Sequence, residues 1–284
     1  MVSQLAQLKK YGIRPKKWLG QNFLVDNDIL EEIVTLYDLG EDEQVVEIGA
    51  GLGSLTTRLA PKVRKVLAVE IDKTLAGLLR DRVINDNNVE VINQNILNFD
   101  FPGIAKLHGH RLKVLGNIPY NISTPLIFKL IESRTCVSMA VLMFQKEVAQ
   151  RIVAVPDTKE YGILSVFSQL NAIVSKELIV PRHHFYPQPK VDSTLVRFLF
   201  LKTPLIDIKD EQIFKRVVKA SFAQRRKTLK NALKNSLNID IHLDDVIKAM
   251  KACGIDPQRR GETLSLEEFG DLSNHLVRYQ TYDR

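Results

Sequence analysis

The chain has 284 residues, 45% of them hydrophobic, which is enough for a packed core in one large and one small domain and too apolar for a disordered chain. Lysine and arginine number 40 against 33 acidic residues, a formal net charge of +7, and the pI is about 9.3. No apolar run approaches the ~20 residues of a membrane span, the first residues lack the charged-then-apolar pattern of a secretory signal, and Cys136 and Cys253 show no metal spacing; the expectation is a reduced, cytoplasmic protein with no membrane partner and no metal.

Residues 1–25 carry Lys9, Lys10, Arg14, Lys16 and Lys17 and no acid. Such a one-signed cluster suits a phosphate-rich partner; a solvated basic face is the plainer alternative. Asp28 followed by Glu31 has capping-box spacing and predicts a helix over residues 29–37. Short apolar runs at 45–48, 66–69, 89–92, 112–115 and 139–143 read as strands. Helical spacing over 75–83 and 125–131 falls between them. Alternation of this kind implies βαβ units and a parallel sheet. A β-branched and aromatic run at 194–201, with no helix after it, reads as a final antiparallel strand. The pattern changes near Lys202-Thr203-Pro204. Helices are expected at 210–221, 226–237, 243–252 and 265–276, with Gly254 and Pro257 separating two of them. The domains are therefore placed at 1–203 and 204–284.

Four stretches carry chemistry. In "VVEIGAGLGSLTTRLA", Gly49, Gly51 and Gly53 make a GxGxG turn between a strand and a helix. Glycines there permit a tight turn and close backbone approach to a ligand at a helix N-terminus. Glu70 ends the second strand about 20 residues on, where a carboxylate can accept from two ribose hydroxyls. Ser54 breaks the dinucleotide form GxGxxG. With the preceding acid, Glu47, the turn resembles the S-adenosylmethionine loop of Rossmann-like methyltransferases, whose ligand has no pyrophosphate to cradle, and that resemblance favours this cofactor over a nicotinamide dinucleotide. Asn95 follows the third strand, where its side chain can accept from an adenine amino group or donate to a ring nitrogen.

After the fourth strand comes "NIPY", which resembles the Asn/Asp-Pro-Pro-Tyr motif of amino-methyltransferases. An exocyclic adenine amine is a poor nucleophile because its lone pair is shared with the ring. Acceptors aimed at its hydrogens favour the tetrahedral, positively charged nitrogen that attack on a sulfonium methyl requires. The Asn117 side-chain oxygen and the Ile118 carbonyl are candidate acceptors, Pro119 fixes the chain, and Tyr120 offers a ring to stack on the base. In "HHFYPQPKVDS", Phe185 is an aromatic held among prolines that can face Tyr120 across a flipped-out base. His183 and His184 read as loop histidines. Late in the chain, "RRKTLKNALK" places Arg226, Lys230 and Lys234 at four-residue spacing on one helix face, beside Arg225 and Lys227, in a stretch from 215 to 234 without an acid.

Taken in order, "LGQNFLVD", "EIGAGLGSLT", "NIPYNIST", "FYPQPKVDS", "SFAQRRKTLKNAL" and "RGETLSLEEF" resemble the KsgA/RsmA family of small-subunit (16S) rRNA adenine dimethyltransferases over nearly the whole length. The resemblance implies a Rossmann-like, S-adenosylmethionine-dependent methyltransferase domain with a mostly parallel seven-stranded sheet, followed by a small all-helical domain that binds rRNA. It implies cofactor contacts at Asn22, Leu24, Gly49, Gly51, Glu70, Ile71, Asn95, Ile96 and Asn117, catalytic roles for Asn117, Ile118, Pro119, Tyr120 and Phe185, and rRNA contacts at Lys16, Lys17, Arg225, Arg226, Lys227, Lys230 and Lys234. The family usually carries Asp at the position of Asn95. The implied reaction is dimethylation of two adjacent adenines near the 3′ end of 16S rRNA, by a monomer acting on the small ribosomal subunit. The related large-subunit methyltransferases of macrolide resistance share "QNFL", "NIPY" and the Phe-Pro loop, while "FAQRRKTLKNAL" and "RGETLSLEEF" favour the small-subunit group. A non-catalytic RNA-binding assembly factor has no need of Glu70, Asn117 and Tyr120 together.

Overall fold

The computed structural model describes residues 4–37, 39–237 and 241–279, without the side chains of Gln4 and His108. The chain forms two compact units: Met1–Ala149 with Ile173–Lys202, and Gln150–Ala172 with Thr203–Arg284.

In the first unit the strands are β1 (Phe23–Leu24), β2 (Gln44–Ile48), β3 (Lys65–Glu70), β4 (Val89–Asn93), β5 (Leu112–Asn117), β6 (Val137–Gln145), β7 (Ala172–Val180), β8 (Phe185–Tyr186) and β9 (Ser193–Phe200). Its helices are α1 (Gln4–Lys10), α2 (Asn27–Leu36), α3 (Thr56–Leu59), α4 (Lys73–Arg82), α5 (Phe101–His108) and α6 (Ser123–Glu132). Seven strands form one sheet in the order β4-β3-β2-β5-β6-β9-β7. Pairing is parallel from β4 to β6 and antiparallel between β6 and β9. Every residue of β2 is buried, as a strand covered on both faces should be. All six strands expected from the sequence are present. The edge strand β7 is an addition, because its burial alternates too weakly to stand out.

The strand order runs outward in both directions from β2 and β5, which makes their C-terminal ends the point where ligands bind in open α/β sheets. Gly116 on β5 lies opposite Ile48 on β2. A Cβ on Gly116 would come within 2.6 Å of the Ile48 carbonyl oxygen, so only glycine lets the two strand ends close together. Away from this sheet, β1 pairs antiparallel with β8, Phe23 opposite Tyr186 and Leu24 opposite Phe185.

One cap differs from the sequence reading. Asp26, not Asp28, caps α2: its Oδ1 accepts from Asp28 N–H at 2.9 Å and Ile29 N–H at 3.1 Å. Its other oxygen meets His184 Nδ1 at 2.8 Å. A partner far along the chain selects the capping residue, and local spacing does not contain it.

The chain passes between the units at 149/150, 172/173 and 202/203, where the sequence placed one boundary near residue 204. The passage at 149/150 falls within α7 (Lys146–Val153), and the second unit continues through α8 (Ile163–Asn171), α9 (Glu211–Ala223), α10 (Leu229–Ser236), α11 (Leu243–Ala252) and α12 (Leu266–Leu276). Val217, Leu233, Met250, Phe269 and Leu272 lie in its core. Ser265 and Glu268 form a reciprocal capping box at the start of α12, and Glu268 also pairs with Arg259. The helix expected from residue 226 begins only at Leu229. The first amides of α10 donate outside the helix, Leu229 to Arg259 O at 2.6 Å and Lys230 to Pro257 O at 3.2 Å, which pins its start and leaves Arg226 and Lys227 in the preceding turn. Arg226 therefore does not share a helix face with Lys230 and Lys234.

Candidate active site

The GxGxG turn leaves β2 with Gly49, Gly51 and Gly53 all at positive φ, 70°, 57° and 80°. Its neighbours close around it. A Cβ on Gly53 would stand 2.3 Å from Leu79 Cδ1, one on Gly51 3.3 Å from Phe23 Cε1, and one on Gly49 3.4 Å from the Asn117 carbonyl oxygen. The turn forms one side of a cavity of about 920 Å³, open mouth included.

Two buried carboxylates face this cavity. Glu70, at the end of β3, accepts from Gly51 N–H and Asp72 N–H, both at 2.8 Å. Burial raises its pKa, and those two amides oppose the rise. Glu47, in β2, is 2% exposed and accepts the Thr56 hydroxyl at 2.5 Å. Burial pushes its pKa to about 8, with the Glu70 charge adding to the effect.

Asn117 ends β5. Its side-chain Nδ2 donates to the Asn22 carbonyl at 2.8 Å. The amide is thereby oriented, and Oδ1 is left as the acceptor on the cavity-lining side chain. The next residue is fixed too, Ile118 N–H donating to Met143 O at 3.1 Å. Asn22, Leu24, Asn117, Ile118, Pro119 and Tyr120 all line the cavity. Tyr120 is half-buried; burial raises its pKa, partly offset by a hydrogen bond with Ser193, so its hydroxyl is neutral at ordinary pH.

Phe185 departs from its expected position. It is 4% exposed and does not line the cavity. Pairing of β8 with β1 turns it into the apolar cluster that includes Leu24, Met143 and Leu195. Those three do line the cavity, so Phe185 supports the wall from behind. Tyr186, beside it, is the exposed ring of this loop.

A second cavity, about 670 Å³ with its mouth, shares Leu19, Gly49, Ile71 and Pro119 with the first and continues along Asn95 and Ile96. Asn95 caps a short 3-10 turn, its Oδ1 accepting from Leu97 N–H at 3.0 Å. That bond uses one of the two lone pairs of the oxygen expected to accept from an adenine amino group. Trp18 and Asn121 also line this cavity. Neither was singled out from the sequence, because they lie on segments that only folding joins.

The basic residues separate into two kinds. Lys16 Nζ pairs with Asp72 at 2.8 Å, and Gln21 bridges the same two residues, accepting from Lys16 N–H at 2.8 Å and donating to Asp72 at 3.0 Å. Burial works against the Asp72 charge, but Lys16 and Gln21 outweigh it and hold its pKa below the usual carboxylate range. Arg225 pairs with Glu262 at 3.0 Å and donates to the carbonyls of Lys159 and Tyr161. Lys16 and Arg225 are thus built into the structure. Lys17, Arg226, Lys227 and Lys234 are exposed and Lys230 is partly so. Among the described residues no His, Cys, Asp and Glu side chains gather as a metal-holding group, and no helix is long and apolar enough to cross a membrane.

Residues 13–277 match the family model described as ribosomal RNA adenine dimethylase. The chain is 45% identical over 267 residues to ribosomal RNA small subunit methyltransferase A of Geobacter metallireducens, covering 94% of this chain and 97% of that one. It is 46% identical over 276 residues to the protein of the same name from Bacillus cereus, covering 95% and 94%. Among solved structures it is similar to a dimethyladenosine transferase from Plasmodium falciparum, with a TM-score of 0.77, 26% identity and coverage of 89% and 97%. It is also similar to the 23S rRNA methyltransferase ErmE, with a TM-score of 0.69, 26% identity and coverage of 90% and 99%.

Proposed function

The chain belongs to the ribosomal RNA adenine dimethylase family, and from that membership we propose that it dimethylates the N6 amino groups of two adjacent adenines near the 3′ end of small-subunit (16S) rRNA, with S-adenosylmethionine as methyl donor. The curated relatives at 45–46% identity are named for the small subunit, which favours that substrate over the large-subunit rRNA in the name of ErmE. The observation that carries the chemistry is the Asn117 amide, tied through Nδ2 to Asn22 so that Oδ1 remains to accept.

The residues present fit the donor. The positive-φ glycines shape a turn in which Gly49 and Gly51 bring backbone to the cavity. Each Glu70 oxygen holds one amide and keeps lone pairs for a ribose hydroxyl. With one lone pair of its oxygen engaged by Leu97, Asn95 keeps the other for the adenine amino group and its NH₂ for a ring nitrogen. Ile71 and Ile96 supply apolar wall on the same cavity. S-adenosylmethionine supplies a methyl group on a sulfonium.

Asn117 Oδ1 and the Ile118 carbonyl accept the two hydrogens of the target amine and favour its positively charged, tetrahedral form. Tyr120, half-buried and neutral, stacks on the base. Once one methyl is attached, the donor leaves as the neutral thioether and the methylated ammonium loses a proton to solvent, a single N–H remains, and one of the two acceptors suffices for the second transfer. The exposed Lys17, Arg226, Lys227, Lys230 and Lys234 serve as phosphate contacts, which position the rRNA without specifying sequence. The enzyme acts as a monomer in the cytoplasm on the small ribosomal subunit.

The test supplies labelled S-adenosylmethionine with undermethylated small subunits and, separately, large subunits, followed by digestion to nucleosides. N6,N6-dimethyladenosine from the small subunit alone is expected. Label in the large subunit, or in neither, overturns the proposal.

A further inference from the structure

Trp18 is the only tryptophan of the chain and is 75% exposed. An indole in water on a globular surface forgoes a large apolar burial. Among the large apolar side chains that are exposed, Trp18 and Ile71 are the two that line the second cavity. Leu19, next to Trp18, is buried, so the short 3-10 turn Lys17–Leu19 is anchored while its indole is not.

This turn is held at both ends. Before it, Lys16 is bound to Asp72 at the N-terminus of α4. After it, Gly20 takes a left-handed φ of 65° and returns its N–H to Lys17 O. Gln21 then closes the loop by bonding both Lys16 and Asp72. Gly20 also packs against the target-amine turn: a Cβ there would meet Pro119 Cβ at 3.4 Å. The indole is therefore presented at the cavity mouth from a clamped loop, with its ordering cost already met before a ligand arrives.

We propose that Trp18 is a cofactor-binding residue that covers the adenine of the methyl donor in the second cavity, opposite the wall to which Asn95 and Ile96 belong. The assignment rests on the S-adenosylmethionine reading above. An aromatic face is chemically suited to this ligand, because a purine stacks through its π-surface whatever hydrogen bonds its edge makes. The stack also links the two substrates: the loop that covers the donor adenine touches the Pro119 turn that holds the target amine, so donor binding fixes one side of the base site.

The full-length protein is titrated with S-adenosylhomocysteine, adenosine and methionine, recording Trp18 emission and calorimetric heat in parallel. S-adenosylhomocysteine and adenosine are expected to shift the emission to the blue, and methionine to leave it unchanged. Trp18→Ala should raise the Kd for S-adenosylhomocysteine on the order of five- to a hundredfold, as loss of an aromatic–base stack does, and Trp18→Phe should recover most of it. Thermal melting of Trp18→Ala should match wild type, since an exposed side chain leaves no core void. Wild-type affinity in Trp18→Ala, or heat of binding without an emission change, overturns the proposal and leaves the cofactor reading standing. No heat with wild-type protein overturns both. An emission shift with methionine but not adenosine, or with an RNA oligonucleotide alone, removes Trp18 from the donor adenine.

Discussion

Truncating Asn117 separates its two functions. The side chain donates through Nδ2 to the Asn22 carbonyl at 2.8 Å and offers Oδ1 to the amine. Asn117→Ala deletes both. The first loss is one neutral hydrogen bond, about 1 kcal/mol, or roughly a fivefold weakening of whatever depends on the placement of Asn22. The second is a preorganised acceptor aimed at developing charge, about 2.7–4 kcal/mol or 10²–10³ in rate. Single-turnover transfer from labelled S-adenosylmethionine to undermethylated small subunits should therefore fall by at least about a hundredfold. Calorimetric affinity for S-adenosylhomocysteine should fall by less than about tenfold. Asn117→Asp is the sharper variant: it keeps an acceptor but sets a second oxygen against the Asn22 carbonyl, so it too should be slow. A transfer rate for Asn117→Ala close to wild type would refute the acceptor role. Equal losses in rate and affinity would assign Asn117 to assembly of the cavity instead.

Glu70→Gln places an NH₂ against one of two backbone amides, Gly51 or Asp72, that now meet a carboxylate. Affinity for S-adenosylhomocysteine should drop on the order of ten- to a hundredfold, the scale of a lost charged hydrogen bond; unchanged affinity would remove Glu70 from the ribose. The lowered pKa of Asp72 means the latch to Lys16 is at full strength above the unfolded carboxylate value of 3.8 and is lost as pH falls through the lower, folded value. A carboxyl NMR titration should put the Asp72 midpoint below 3.8 and show it moving up in Lys16→Met; a wild-type midpoint at or above 3.8 would contradict the latch. In the second unit, Arg226→Glu should weaken small-subunit binding and flatten its salt dependence by about one unit of slope without altering thermal stability. Arg225→Ala should instead lower thermal stability and leave the salt slope alone, because Glu262 and two carbonyls hold that guanidinium. The opposite pattern would reverse the two assignments.

Local chemistry was legible where the chain itself supplies the constraint. The glycines of the GxGxG turn need positive φ, and all three have it. Apolar runs without alternation belong to strands covered on both faces, and β2 is one. What escaped depends on partners far away in sequence. Phe185 reads as a free ring in a proline loop until Leu24 pairs with it. Lys16 and Arg225 read as loose charges until Asp72 and Glu262 meet them. The start of α10 is set by carbonyls at 257 and 259, beyond the following helix. Gly116 is required by the 2.6 Å approach that a Cβ would make to Ile48 O, a contact with a strand far back in the sequence. Nothing in "PKKWLGQ" says that the Trp18 indole lines the same cavity as Asn95.

The pairing of β1 with β8 also bears on how the protein is made. Phe23 and Leu24 wall the cavity, yet their strand partners are Tyr186 and Phe185, and Asp26 waits for His184, 158 residues later. At ~5–20 residues per second, synthesis leaves the N-terminal wall without its partner strand for roughly ten to thirty seconds. A nascent chain already holding the glycine turn, Glu70 and Asn117 lacks the strand that pairs with this wall until residue 186 has been made. The wall of the cavity that is made first thus waits on one of the last strands of its own unit.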